Sequence, residues 1–219
     1  MAIEVGRDVH AVANSFGELD LSTELTDLPI SETSSGIAQL DTGYKTSKSG
    51  EKILYLGNAH GLLIPFLSHA IMAGRIEAPL SIVNADYHAD IAEYTPQTSS
   101  HTASWQRLGV NLGLWRASDS LNWRPTHSTA TPLQSFAPDR YITEVTSDHV
   151  LARGQFDVVS LDLDFFMKSP PDLERDLAII LKIIEVSPVT MMFSSSGWTD
   201  AADSELITRV ARTVWDKFQ

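Results

Sequence analysis

Short apolar runs alternate with helical segments along most of this 219-residue chain, and this alternation constrains the fold more than any other feature. The runs at 52–57, 79–86, 156–164 and 188–194 are rich in β-branched and apolar residues, which predicts buried strands. Helices are predicted at 61–74, at 172–185 and from residue 200 onward, where apolar residues recur with helical spacing. Strands that alternate with helices indicate a mostly parallel sheet covered on both faces.

Two stretches lack this alternation. Residues 31–50 are dense in Ser, Thr and Gly, which favours surface turns or an exposed loop, so the first fifty residues are predicted to be irregular or to carry a hairpin. Residues 97–141 hold three tryptophans among many Ser, Thr and Pro residues, a composition that predicts long loops with short strands. Loops of such length in an α/β domain are usually functional.

The composition restricts the chemistry available to the chain. It contains no Cys, which excludes disulfides, thiolate zinc sites, iron–sulfur clusters and thiol nucleophiles, so any metal must be held by His and carboxylates. Its 28 acidic and 16 basic residues give a net charge of −12, which argues against nucleic acid as a partner. Charges interrupt every apolar run near the start, so we predict no signal peptide, no membrane span and a cytoplasmic location.

Three polar motifs follow predicted strands, at the sheet edge where open α/β folds bind ligands. They read GNAH at 57–60, DYHAD at 86–90 and LDLD at 161–164. Alternate residues of an extended backbone point the same way, so each motif is expected to aim its polar groups at one spot. Together the motifs offer two imidazoles and four carboxylates: His60, Asp86, His88, Asp90, Asp162 and Asp164.

Four converging carboxylates repel one another and are costly to bury, so a positive charge is expected among them. Carboxylates with imidazole and without thiolate favour an ion such as Mn²⁺ over a closed structural zinc site. Six groups exceed the needs of one ion and suit two ions that share a water. Each motif alone also has a structural interpretation, since an Asp-x-Asp pair can cap a helix and His60 can be a hydrogen-bonded core histidine.

With GNAH, DYHAD and SLDLD in this order, the chain resembles the arginase and ureohydrolase superfamily. The resemblance implies that the six residues above are the ligands of a binuclear manganese centre. It also implies one catalytic domain over residues 1–219, with an arginase-like three-layer α/β/α fold, a mostly parallel sheet and the metals at its carboxyl edge. Tyr87 stands where the family usually has Ala, and this is not a ligand position.

Within the superfamily, the GNAH turn, the DYHAD sequence and the short chain look more like the peptide arginases. These enzymes convert arginine in ribosomally made precursor peptides to ornithine and urea, so the resemblance implies an arginine-containing peptide as the substrate. Self-association into a homo-oligomer is left open. The alternatives are hydrolysis of agmatine, a guanidino acid or an acetylated amine, and a metal-stabilised binding module without turnover. Deacetylases of this fold bind one zinc with fewer acids, which the six-residue set argues against.

Further residues are assigned to catalysis and substrate binding. His101 resembles the family's loop histidine that shuttles protons, and Asp90 is predicted to act in catalysis as well as in metal binding. The family's guanidinium-binding Glu after a late strand is missing, since no acid lies between Thr190 and Trp198. Glu93 and Asp200 are therefore the candidates for guanidinium recognition.

The tryptophans of the 97–141 stretch have two interpretations. Trp105, Trp115 and Trp123 could supply apolar surface to a bound peptide, or they could be part of the core.

Overall fold

The structure is a computed structural model that describes residues 19–91, 104–128, 141–167, 172–195 and 200–219. Its strands are β1 (Ile30–Glu32), β2 (Ala38–Leu40), β3 (Gly43–Thr46), β4 (Ile53–Gly57), β5 (Ile82–Ala85), β6 (Ser120–Trp123), β7 (Thr143–Val145), β8 (Val158–Asp162) and β9 (Val189–Phe193). Seven of them form one sheet in the order β3-β4-β9-β8-β5-β6-β7. Every neighbouring pair in this sheet is parallel except β3 and β4, while β1 and β2 form a separate antiparallel pair.

Helices cover both faces of the sheet. They are α1 (Leu63–Met72), α2 (Trp105–Asn111), α3 (Ser147–Arg153), α4 (Leu173–Ile184) and α5 (Ser204–Trp215). One apolar cluster joins α1 and α2 to alternate strand residues such as Tyr55 and Val158. The other cluster joins α3, α4 and α5 to the intervening residues, such as Leu54 and Val159. The expected three-layer α/β/α fold with a mostly parallel sheet is thus confirmed.

The periodicity of the sequence explains why these elements form. In α5 the buried residues Ile207, Val210 and Val214 recur every three or four positions, which places them on one helical face against the sheet. The central strands β4, β5, β8 and β9 are buried on both faces and accordingly read as largely apolar runs. All four predicted strands and all three predicted helices exist.

The ends of two strands differ from the prediction. β5 ends at Ala85 and β8 at Asp162, and residues Leu163–Phe166 form a 3-10 turn. His88, Asp90 and Asp164 therefore lie beyond the strand ends, so the expectation that alternation in extended backbone aims their side chains was wrong for these three residues. The turns themselves bring these groups together.

Two predictions for the irregular stretches need correction. The prediction of loops and short strands over 97–141 was wrong for Trp105–Asn111, which is helix α2, and was right for the short strand β6. At 97–103 and 129–140 it stays a prediction, because these residues lie outside the described ones. The N-terminal hairpin is confirmed by β1 and β2, but β3 lies within the segment predicted as turns and joins the main sheet as an antiparallel edge strand. Among the described residues, no helix is both long and apolar enough to cross a membrane.

The three tryptophans belong to the interior. Trp105, Trp115 and Trp123 are exposed to 0%, 2% and 3%. Side chains buried to this degree cannot offer a surface to a peptide, so that interpretation was wrong and the core interpretation was right.

Candidate metal centre

Four adjacent strands of the sheet position one cluster of imidazoles and carboxylates. β4 leads to His60, β5 leads to Asp86 and His88, and β8 ends in Asp162. β9 lies between β4 and β8, and Ser195 beyond its end donates a hydrogen bond to Asp162 Oδ2. Because the carboxyl ends of parallel strands meet at one edge, residues distant in sequence come together there.

The cluster divides into two groups that share one carboxylate. His60, Asp86 and Asp162 form the first group, and Asp86, His88 and Asp164 form the second. Within each group one ligand atom per residue lies within 4.8 Å of the others, which suits a divalent ion. Since Asp86 belongs to both groups, the arrangement has the form of two neighbouring ion sites bridged by a carboxylate.

Asp90 lies beside the first group without belonging to either. Its Oδ2 is 2.9 Å from His60 Nδ1 and accepts a hydrogen bond of 2.8 Å from Trp105 Nε1. Asp90 has a φ of 49° and Ser195 a φ of 38°, in the left-handed region that side chains rarely adopt. Such strain is typical of functional sites, where the surrounding structure holds an unfavourable backbone in place.

One oxygen of each central carboxylate is held by a backbone amide. The amide of His88 donates to Asp86 Oδ1 at 2.7 Å, and that of Asp164 donates to Asp162 Oδ1 at 3.2 Å. The amide of Tyr87 likewise donates to Asp164 Oδ1 at 3.2 Å. The second oxygens of these carboxylates are left to face the imidazoles at the centre of the cluster.

Two buried atoms at this centre make no hydrogen bond to any described residue. His60 Nδ1 lies 2.9 Å from Asp90, 3.2 Å from Asp86 and 3.4 Å from Asp162, yet none of these contacts has hydrogen-bond geometry. Asp164 Oδ2, 2.8 Å from His88 Nδ1, is in the same situation. Buried polar atoms without partners are costly, whereas an ion among them would satisfy both. The residues present therefore fit a divalent cation.

The orientation of the His60 ring is fixed through its second nitrogen, Nε2. Its Nε2 lies 2.8 Å from Ser160 Oγ. When the ring proton is on Nε2, it is donated to this hydroxyl and the lone pair of Nδ1 points at the carboxylates, as metal binding requires.

Two carboxylates of the cluster have a raised pKa. Burial and the charge of Asp86 raise the pKa of Asp90 to about 7. Burial and the charge of Asp162 raise the pKa of Asp164 well above its usual range. Burial by itself lowers the pKa of His60, but the carboxylates around the ring outweigh it and raise the pKa well above its usual range. The cluster therefore lacks positive charge, which a cation would supply.

His88 completes this pattern at the more exposed end of the cluster. The carboxylates of Asp164 and Asp86 raise its pKa to about 10. Although burial opposes the change, His60 and His88 together lower the pKa of Asp86. Asp86 thus carries a full negative charge where the two groups meet.

The structure brings together all six residues predicted from the motifs. His101 and Glu93 lie outside the described residues, so their roles stay predictions. Asp200 is exposed and precedes the 3-10 turn Ala201–Asp203, and no hydrogen bond or ion pair joins its side chain to the described cluster residues. Its role in substrate binding also stays a prediction.

Sequence reasoning missed several residues that support the cluster. Asn84 Nδ2 donates to Asp86 Oδ2 at 3.2 Å, while Ser160 and Ser195 contact His60 and Asp162. Asn84 and Ser160 each stand two positions before a cluster carboxylate in a buried strand. A polar residue at such a position was the available signal.

Comparison with known proteins finds the fold among solved structures. No family model matches the sequence, and neither does any curated protein. Proclavaminate amidino hydrolase from Streptomyces clavuligerus aligns with a TM-score of 0.53 and 19% identity over 75% of this chain and 64% of that chain. A hypothetical agmatinase from Burkholderia thailandensis aligns with 0.53 and 18% over 75% and 57%. Agmatine ureohydrolase of Thermoplasma volcanium aligns with 0.52 and 12% over 99% and 69%.

At these identities the likeness is one of fold. The chain adopts the α/β fold of these three structures, which is the fold that its motifs led us to expect. It spans 64% and 57% of the length of the first two structures.

Proposed function

We propose that the chain is a binuclear manganese hydrolase that converts peptidyl arginine in a precursor peptide to ornithine and urea. The observation that carries this proposal is the pair of His and Asp groups that share Asp86 at the carboxyl edge of the sheet. The fold likeness to an amidino hydrolase and an agmatine ureohydrolase supports the same class of reaction.

The six cluster residues would hold two ions, with Asp90 as the additional carboxylate beside His60. When bound, the ions activate water as a nucleophile at neutral pH and offset the charge of the carboxylates. Such activation is needed because the guanidinium group is delocalised and protonated, so its carbon is a poor electrophile.

The reaction also needs a proton donor and a group that orients the substrate. Hydrolysis adds one water across the bond between Nε and the guanidinium carbon, so the nitrogen retained as ornithine must gain a proton. We assign this transfer to His101. Recognition of the guanidinium is assigned to Glu93 or Asp200, with Asp90 taking part in catalysis beside the ions.

Two features favour a peptide over a free amino acid as substrate. The net charge of −12 attracts a cationic peptide. The GNAH and DYHAD motifs resemble those of the peptide arginases, as described above.

The test compares substrates at equal concentration after loading the protein with Mn²⁺. We expect more urea from an arginine-containing peptide than from free arginine or agmatine, and a mass loss equal to cyanamide at each converted residue. A peptide with Lys in place of Arg keeps the charge but has no guanidinium, and is the control for background urea. An unchanged peptide alongside rapid urea release from agmatine would reject the peptide substrate and keep the ureohydrolase class. Acetate release from an acetylated amine, without urea from any substrate, would reject the class.

A further inference from the structure

The first turn of α2 reaches the cluster through two consecutive side chains. Trp105 Nε1 donates to Asp90 Oδ2 at 2.8 Å, and the indole ring packs with its centroid 5.0 Å from that of His60. Trp105 is fully buried, so this bond is shielded from water. One side chain of α2 thus contacts two residues of the cluster.

The second side chain, Gln106, acts through a buried series of amides. Gln106 Nε2 donates to Ala89 O at 3.3 Å and to Asn122 Oδ1 at 3.1 Å. Asn122 Oδ1 also accepts a bond of 3.0 Å from Asn84 Nδ2, which in turn donates to Asp86 Oδ2 at 3.2 Å. Ser120 Oγ donates to Gln106 Oε1 at 2.6 Å, which orients the Gln106 amide.

Burying this series of polar side chains costs free energy that apolar residues would not cost. Gln106, Asn122, Asn84 and Ser120 are all fully buried within the α1/α2 side of the sheet, where apolar residues of similar size would fold without polar demands. Its hydrogen bonds run from α2 to Asp86, the carboxylate that both groups share. Trp105 and Gln106 therefore reach opposite ends of the DYHAD motif from a single helical turn.

We propose that Trp105 and Gln106 are positioning residues, and that their hydrogen bonds hold Asp90 and Asp86 where the cluster binds divalent ions with high affinity. This inference rests on the metal centre of the proposed function. It adds that part of the affinity for the ions comes from a helix that supplies no ligand.

The test uses a pair of matched tryptophan variants. Both variants replace the indole by a smaller phenyl ring. Trp105→Phe removes the N–H that donates to Asp90, whereas Trp115→Phe removes a buried N–H that has no hydrogen-bond partner among the described residues. Titration calorimetry with Mn²⁺ should show a Kd roughly 10- to 100-fold higher for Trp105→Phe, the usual effect of losing a residue that hydrogen-bonds to a metal ligand. We expect little change in the Kd for Trp115→Phe.

A purely structural role gives a different result. It would lower the urea midpoint of unfolding measured in EDTA for Trp105→Phe, while leaving the Mn²⁺ Kd equal to that of Trp115→Phe. Equal values of Kd for these two variants, with wild type binding Mn²⁺ normally, would overturn this inference and leave the proposed function intact. A wild type that binds no Mn²⁺ would overturn both.

Gln106→Met tests the same inference independently, which matters if Trp105→Phe does not fold. It removes the amide at near-constant volume, and Thr190→Val is its control because Thr190 is fully buried with a hydroxyl that has no partner among the described residues. We expect weaker Mn²⁺ binding for Gln106→Met and wild-type binding for Thr190→Val. Wild-type affinity in Gln106→Met would overturn the role of the amide series.

Discussion

Asp86 and Asp162 should differ in the number of ions that each controls. Asp86 belongs to both groups of the cluster, whereas Asp162 belongs to the first alone. Asp86→Asn should therefore lower the affinity of both ion sites, and Asp162→Asn should spare the site formed by Asp86, His88 and Asp164. Both replacements keep the shape of the side chain and remove one charge.

The magnitude follows from the short distances in the cluster. A pair of unit charges about 4 Å apart interacts by about 4 kcal/mol at the effective dielectric constant of a protein site. Losing about 4 kcal/mol of interaction with one carboxylate raises the Kd for the ion by roughly 10³-fold, since each 1.4 kcal/mol is a factor of ten. An ion held that weakly is lost during desalting.

The assay is elemental analysis after loading with Mn²⁺ and desalting. We expect two ions per chain in wild type, one in Asp162→Asn and none in Asp86→Asn. Two retained ions in Asp86→Asn would refute the bridging role of this residue. Loss of both ions in Asp162→Asn would show that the two groups do not bind independently.

Three further predictions concern catalysis, pH and packing. His101→Ala should lower turnover by roughly 10²- to 10⁴-fold with Mn²⁺ content unchanged, as expected for a lost acid–base group, and unchanged turnover in the urea assay would return His101 to an ordinary loop residue. Burial and the charge of Asp172 raise the pKa of Asp176 from its ordinary 3.8 to about 6, so the folded protein binds an extra proton between these values and loses stability as the pH rises through them. Asp176→Asn should then raise the free energy of unfolding at pH 8 by roughly 1–2 kcal/mol, less than the full shift because solvent screens part of the charge, and change it little at pH 3, as measured by urea denaturation at both pH values. Gly109→Ala should destabilise the protein by roughly 1–3 kcal/mol or more, because the added Cβ would lie 1.8 Å from the ring of Trp115, and an unchanged thermal midpoint would contradict this packing.

Much of the fold could be predicted because its strands and helices have distinct periodicities. β4, β5, β8 and β9 are largely apolar runs, and α5 repeats its apolar residues at helical spacing. α2 could not be found in this way, since its seven residues stand in a stretch rich in Ser, Thr and Trp. Trp105 and Gly109 of this helix contact the ring of Trp115, and no periodicity within the helix indicates such contacts.

The members of the cluster could be predicted, while their geometry could not. Residue type and position after a strand identified His60, Asp86 and Asp162, because parallel strands end at one edge. The turn that brings Asp90 to His60 requires a positive φ, which no local pattern in DYHAD indicates. The alternation of side chains along a strand explains the directions of Asp86 and Asp162 at the strand ends. It does not explain those of the cluster residues that follow in the turns.

The same alternation does explain the polar residues behind the cluster. Ser160 of β8 is register-paired with Asn84 of β5, and Asn84 with Asn122 of β6, so the three side chains lie on one face of the sheet. Two positions further along the chain come Asp162, the last residue of β8, and Asp86, directly after β5. A row of buried polar residues therefore lies directly beneath the row of carboxylates. Side chains that bind ions need fixed positions. Ser160 and Asn84 of the polar row fix the positions of His60 and Asp86 through hydrogen bonds. An apolar row would pack as well but could not hold these two side chains, which accounts for polar residues at the centre of a buried sheet.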